Sequence, residues 1–109
     1  MITIDDFKKL DIRVGTITTA QPLEDARQPA YRLEIDFGPL GAKRSSARIT
    51  DHYQAEDLVG TQILAVVNFP PKQIGRFLSE VLVLGGYEPD DSVKLLRPES
   101  HIADGARVR

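Results

Sequence analysis

Chemistry at neutral pH needs a nucleophile, a proton carrier or a metal, and this chain offers little of any. It has no cysteine and two histidines, His52 and His101, which excludes thiolate nucleophiles, disulfides and cysteine-based zinc centres. The histidines stand far apart in polar contexts. Asp51 and His52 are adjacent, a dyad on paper and more simply a solvated loop pair. There is no G-x-S-x-G elbow, phosphate-binding loop or H-E-x-x-H pair. The acidic group Glu88, Asp90 and Asp91 lacks the spaced ligands and glycine of a calcium loop. The sequence therefore predicts a non-enzymatic protein with no metal and no cofactor.

Binding chemistry is better represented. The stretch "VVNFPPKQIG", Val66 to Gly75, ends an apolar run on Asn68, Phe69, two prolines and Lys72. A strand that had only to stop would need one glycine or one proline. The composition predicts a stiff corner holding Lys72 and Arg76 outward, with no acidic residue between Val66 and Ser79 to neutralise them. Rigid presentation lowers the ordering cost of binding. Phe69 and Phe77 read either as stacking platforms beside those charges or as core. Asn68 is expected to bond the local backbone. Glu80, next to Ser79, would repel a phosphate and suits a peptide amide or a cation. Upstream, Arg44, Ser46 and Arg48 alternate onto one strand face. They form a strip for a phosphate or a peptide carboxyl end. On the plainer reading Arg44 pairs with Asp36 and Arg48 lies diagonal to Glu34, exposed contacts worth ~0–1 kcal/mol.

The supporting elements follow from pattern. "TIDDFKKL" reads as a short helix capped by Thr3 or Asp5. "DIRVGTITTAQ" reads as a strand in which Gly15 marks a bend or bulge. Pro22 to Ala30 is a polar loop. "YRLEIDF" alternates, with Tyr31, Leu33, Ile35 and Phe37 inward. A Pro39-Leu40-Gly41 loop then makes a hairpin that sets Asp36 opposite Arg44, Glu34 opposite Ser46 and Arg32 opposite Arg48. "DHYQAEDLVG" is a helical turn closed by Gly60. "TQILAVVNF" and "SEVLVLGGY" are apolar on both faces, so something must cover the second face, and a second subunit suits better than the N-terminal helix. "SVKLLRP" and "HIADGARV" close the set. Periodicity alone yields a small antiparallel β-barrel. The strand order, with a helical turn between strands 3 and 4, is that of an OB-fold.

Length and charge bound the class. At 109 residues the chain is expected to be a single domain, 1–109. A net charge of −2 is not that of a nucleic-acid domain, whose affinity comes mainly from phosphate neutralisation. RNA binding would have to use a local patch. There is no tract of about 20 apolar residues, so no membrane insertion is expected, and "MITIDDFKKL" lacks a signal-peptide core. The expected location is cytoplasmic.

Three ordered stretches, "FKKLDIRVGTI", "RSSARIT" and "NFPPKQIGRFLSEVLVLG", resemble the tRNA-binding-domain family, the OB-fold module appended to methionyl- and phenylalanyl-tRNA synthetases. Those appendices usually read Ser-Gly, Asn-Leu-x-Pro and Ser-x-Gly-Met. This chain has Ser46-Ala47, Asn68-Phe69-Pro70-Pro71 and Ser79-Glu80-Val81-Leu82 instead, forms similar to the CsaA type, small homodimeric proteins regarded as chaperones for protein export. The likeness runs from about Asp5 to Val108. It implies a mainly all-β, five-stranded OB-fold Greek-key barrel and a homodimer built on the N-terminal helix and C-terminal segments. It also implies a contact surface of Arg44, Ser46, Arg48, Asn68, Phe69, Lys72, Arg76, Ser79 and Glu80, to which Phe77 adds an aromatic. The implied partners are unfolded or export-bound polypeptides and the export machinery. The alternative is tRNA or structured RNA, against which Val81-Leu82 and the acidic charge both count.

Overall fold

The alternation of "YRLEIDF" builds the wall on which the fold rests. In the computed structural model, which describes residues 1–109, Leu33, Ile35 and Phe37 are buried and Arg32, Glu34 and Asp36 exposed. A short helix, α1 (Ile4–Lys8), precedes the strands β1 (Ile12–Pro22), β2 (Tyr31–Asp36) and β3 (Ala42–Ala47). A second short helix, α2 (Ala55–Leu58), leads to β4 (Gln62–Val66). The short strands β5 (Lys72–Ile74), β6 (Phe77–Ser79), β7 (Leu82–Val83), β8 (Gly85–Tyr87) and β9 (Val93–Leu95) follow. One antiparallel sheet in the order β3-β2-β1-β4-β7 curls into a nearly closed OB-fold barrel. β5–β6 and β8–β9 are separate hairpins. The core holds Ile17, Leu33, Ile35, Phe37, Leu58 and Ile63, and a smaller cluster joins Leu23, Ala30 and Phe77.

Local chemistry accounts for the ends of elements. Thr3, not Asp5, caps α1 in a reciprocal box with Asp6. Gly60, at φ 89°, ends the α2 turn as expected. The irregularity of β1 lies at Thr18, between Ile17 and Thr19, and not at Gly15. Gly15 answers a different need. A β-carbon there would lie 2.6 Å from Ile35 Cγ2 and 2.7 Å from the Phe37 ring, so glycine lets the core close against β1.

The hairpin differs from expectation by two residues. Asp36 faces Ala42, Glu34 faces Arg44 and Arg32 faces Ser46. Face parity is kept, but the loop is longer than Pro39-Leu40-Gly41. A 3-10 turn over Gly38–Leu40 fills it, and the Phe37 N–H donates to Gly41 O at 3.0 Å. Asp36 accepts the Gly38 N–H at 2.8 Å, so it holds the turn instead of meeting Arg44.

Two further corrections concern the second half. "NFPPKQIG" leads into a hairpin in which Lys72–Ile74 pairs with Phe77–Ser79 around Gly75-Arg76. Gly75 sits at φ 56°, the positive value that a two-residue hairpin turn requires. "SEVLVLGGY", expected as one strand, is divided among the end of β6, β7 and β8. Successive parts of it pair with β5, β4 and β9. The second apolar face is real: Leu64, Leu84 and Leu96 are tied side by side by backbone bonds. α1 buries none of its residues, and Leu82 and Leu96 stay 50% and 44% exposed. Instead, the C-terminal segment lies along the start of β1, with Val14 N–H to Ala106 O at 2.9 Å and Val108 N–H to Ile12 O at 2.8 Å. No helix is long and apolar enough to cross a membrane.

Gly15→Ala is expected to cost about 1–3 kcal/mol through overpacking. Urea unfolding would show the midpoint falling; an unchanged midpoint would mean that Ile35 and Phe37 shift freely.

Candidate functional site

The residues expected to share one surface divide between two, on either side of the barrel's closing seam. Ser46, Arg48, Phe69, Lys72, Ser79 and Glu80 line a groove of about 510 Å³ with Val81–Gly85, Tyr87, Val93 and Leu95. Arg44, Arg76 and Phe77 line a second cleft of about 470 Å³ with Arg32 and the loop Pro22–Asp25. Asn68 belongs to neither. Its Oδ1 accepts the Asp11 N–H at 2.9 Å and its Nδ2 donates to Lys9 O at 2.8 Å. It pins the end of β4 to the chain leaving α1, a bond across 57 residues that no local reading contains.

The two phenylalanines resolve differently. Phe69 is 44% exposed and lines the groove, so it is not core. Phe77 is 8% exposed and packs with Leu23 and Ala30, and the Arg44 guanidinium carbon lies 5.5 Å from its ring centre. Its outer face is therefore taken by a cation.

Seam contacts engage much of the polar set. Glu80 Oε1 accepts the Arg44 N–H at 3.0 Å and lies 3.7 Å from Arg44 Nε. Glu80 thus replaces Asp36 as the partner expected for Arg44. The buried Ser79 hydroxyl accepts the Ser46 N–H at 3.0 Å. Arg48 reaches Gln28 Oε1 at 2.7 Å in place of Glu34. Arg76 has an acidic neighbour after all: Asp25 Oδ2 lies 3.7 Å from its Nε and accepts its N–H at 3.0 Å, although the Arg76 side chain is 95% exposed. The loop that supplies Asp25 is distant in sequence, so a local search for counter-charge misses it. Lys72 and Arg48 have no carboxylate partner in the ion pairs of the fold.

Sequence reasoning left out the apolar wall of the groove, including Tyr87, 79% exposed. The available signal was the two-sided apolar pattern of "SEVLVLGGY". His52 is exposed, as expected of a solvated loop residue, but it has a partner distant in sequence. His52 Nε2 lies 2.6 Å from the buried Ser92 Oγ, which donates to Asp90 Oδ1 at 2.6 Å. With its proton on Asp90, Ser92 can only accept from His52. A nucleophilic serine needs the reverse. The cluster anchors the β8–β9 hairpin, the outer wall of the groove, as does Leu95 N–H to Tyr53 Oη at 3.0 Å.

The site is thus an OB-fold barrel with an open, mostly apolar groove in which Lys72 and Arg48 stand without carboxylate partners. The chain belongs to the tRNA-binding-domain family: the family model described as "Putative tRNA binding domain" matches residues 12–107. Among solved structures it is similar to the chaperone CsaA of Bacillus anthracis, at 53% identity and TM-score 0.95 over 100% of this chain and 99% of that one. It is also similar to the CsaA chaperone protein of Picrophilus torridus, at 50% identity and TM-score 0.93 over 100% of both. A methionine–tRNA ligase of Porphyromonas gingivalis is 35% identical over 108 residues, 99% of this chain but 16% of the ligase. The chain thus spans a small part of the curated relatives it matches.

Two expected outcomes follow from these anchors. Asn68→Ala should lose about 1–2 kcal/mol of stability in urea for its two bonds; no loss would mean that water replaces them. The Asp90 carboxyl is held below its ordinary 3.8, first by the Ser92 hydroxyl, then by the Ser92 N–H, with the His52 charge adding to it. Its contribution is present above 3.8 and is lost as pH falls through the lower folded value. NMR of the Ser92 amide should titrate at that depressed value, and Asp90→Asn should abolish the step. A step at or above the ordinary value would contradict the assignment.

Proposed function

We propose that residues 1–109 form one OB-fold binding domain of a non-enzymatic, homodimeric, cytoplasmic chaperone that holds unfolded or export-bound polypeptides in the groove beside Phe69. The observation that carries this reading is the groove itself. Its walls are mostly apolar, an exposed aromatic overhangs it, and Lys72 and Arg48 flank it without carboxylate partners. An unfolded chain offers apolar side chains to such a lining, and their burial stabilises by about 25 cal/mol per Å². The likeness to CsaA chaperones supports the same reading. The homodimer is supported by the exposed apolar face of Leu82 and Leu96, together with Ile2 and Ile4. A docking role towards the export machinery goes with it.

The second reading is a tRNA or structured-RNA binder. It is favoured by the cleft where Arg32, Arg44 and Arg76 meet between the β1–β2 loop and the β5–β6 turn, the region where OB-folds hold oligonucleotides. Against it stand the net charge of −2 and the carboxylates of Glu80 and Asp25 beside two of those arginines.

Fluorescence anisotropy separates the two. A labelled unfolded apolar peptide should bind in the micromolar range with little loss at physiological salt, because apolar burial is not screened. Phe69→Ala should weaken it roughly tenfold. Labelled tRNA, if bound, should lose ~0.7–0.9 log units of affinity per log unit of salt for each phosphate neutralised. Peptide binding confined to low salt, or unaffected by Phe69→Ala, would overturn the chaperone reading. tRNA binding that survives physiological salt and weakens in an Arg32→Ala/Arg76→Ala variant would install the alternative.

A further inference from the structure

The groove has a backbone wall as well as a side-chain one. From Leu82 to Glu88 the chain runs extended, and its even-numbered residues hold the ladder. Leu82 pairs with Val66, the Leu84 N–H donates to Leu64 O at 2.9 Å, Gly86 pairs with Lys94, and the Glu88 N–H donates to Ser92 O at 2.8 Å. In an antiparallel ladder the intervening residues turn their N–H and C=O groups to the opposite edge. Those residues are Val83, Gly85 and Tyr87, and all three line the groove. Val81 is in phase with them, and its carbonyl accepts the Ser45 hydroxyl across the seam at 2.9 Å, which shows the direction this edge faces. Across the groove Arg48 is in phase with Arg44 and Ser46, whose backbone amides engage the seam, but its own N–H and C=O have no main-chain partner. The seam is thus bonded as far as Ser46 and Val81, and then opens into the groove.

Exposed edges are usually blunted by charge, proline or a bulge. Val81 to Tyr87, "VLVLGGY", carries no charge and no proline. An adenine or a ribose has no row of alternating donors and acceptors to match such an edge, and a helix has already used its own. An extended polypeptide presents them every second residue, about 6.6–6.8 Å apart. Charge selects further. Lys72 and Arg48 line the groove without a carboxylate partner, while the one carboxylate there, Glu80, is engaged by Arg44.

We propose, resting on the polypeptide-binding reading above, that the client binds as an added β-strand along the edge Val83–Gly85–Tyr87, with apolar side chains and an acidic residue facing Lys72 and Arg48. Strand addition supplies affinity from main-chain bonds and selectivity from alternate side-chain pockets.

The test uses the full-length protein and a fluorescein-labelled ten-residue apolar peptide with one aspartate. N-methylation is moved along the peptide one residue at a time. Binding should fall roughly tenfold or more at alternate positions, the equivalent of a lost hydrogen bond or two, and little at the positions between. In the complex, hydrogen exchange at the Val83, Gly85 and Tyr87 amides should slow. Replacing the peptide's aspartate by lysine should weaken binding several-fold at low salt, and Lys72→Glu should reverse that order. A tight parent peptide with a flat methylation scan would overturn strand addition and leave the groove reading standing. A parent that fails to bind would overturn both. Protection of those amides without peptide, lost on dilution, would assign the edge to a second copy and overturn the proposal.

Discussion

The barrel closes on side chains. Between β3 and the segment Ser79–Val81 there is one backbone bond, Glu80 N–H to Arg44 O at 2.8 Å. The rest of the seam is made by Ser79 Oγ, Ser45 Oγ and the Glu80 carboxylate, each bonded to main chain. Ser45 and Ser79 are both buried, and a buried hydroxyl is tolerable only when bonded. Their burial thus follows from closure and also enforces it. The same bonds stop where the groove starts. The seam's reach along β3 therefore sets how much of that edge stays unbonded.

Charge on this molecule is distributed by the same seam. Arg44 lies on one side over Phe77, and Glu80 on the other beside the groove, so their contact joins the two walls. One half-exposed ion pair is weak in itself. Its larger effect is on character: the groove keeps uncompensated cations, while the arginine cleft is partly neutralised by Glu80 and Asp25. An acidic protein acquires a locally cationic apolar groove in this way, which no sum over composition reveals.

Much of the architecture was legible because its causes are local. The inward face of β2 followed from strict alternation, the α1 cap was narrowed to Thr3 or Asp5, of which Thr3 makes it, and the end of α2 followed from Gly60. Other features were misplaced for reasons that are equally physical. The hairpin register depended on Asp36 holding the turn instead of facing Arg44. Gly15 was read as a bend, yet it answers a steric demand from Ile35 and Phe37, which are brought against it only by the fold. The β5–β6 hairpin was hidden because each strand is three residues long and two prolines just upstream argued for a corner.

The sequence by itself determined the class of molecule. Alternation and turn chemistry specify a small antiparallel barrel, and three ordered motifs carry the likeness to the tRNA-binding-domain family that the family model matches over residues 12–107. Those are properties of residue type and spacing, which a linear reading contains. Tertiary structure alone decided which of the candidate residues share a surface. Phe69 and Lys72 went to the groove, Phe77 and Arg76 to the other cleft, and Asn68 to a clamp. The reason is that the partners of these side chains, from Asp11 to Asp25 and Gln28, come from elements distant in sequence, and only closure of the barrel brings them within bonding distance.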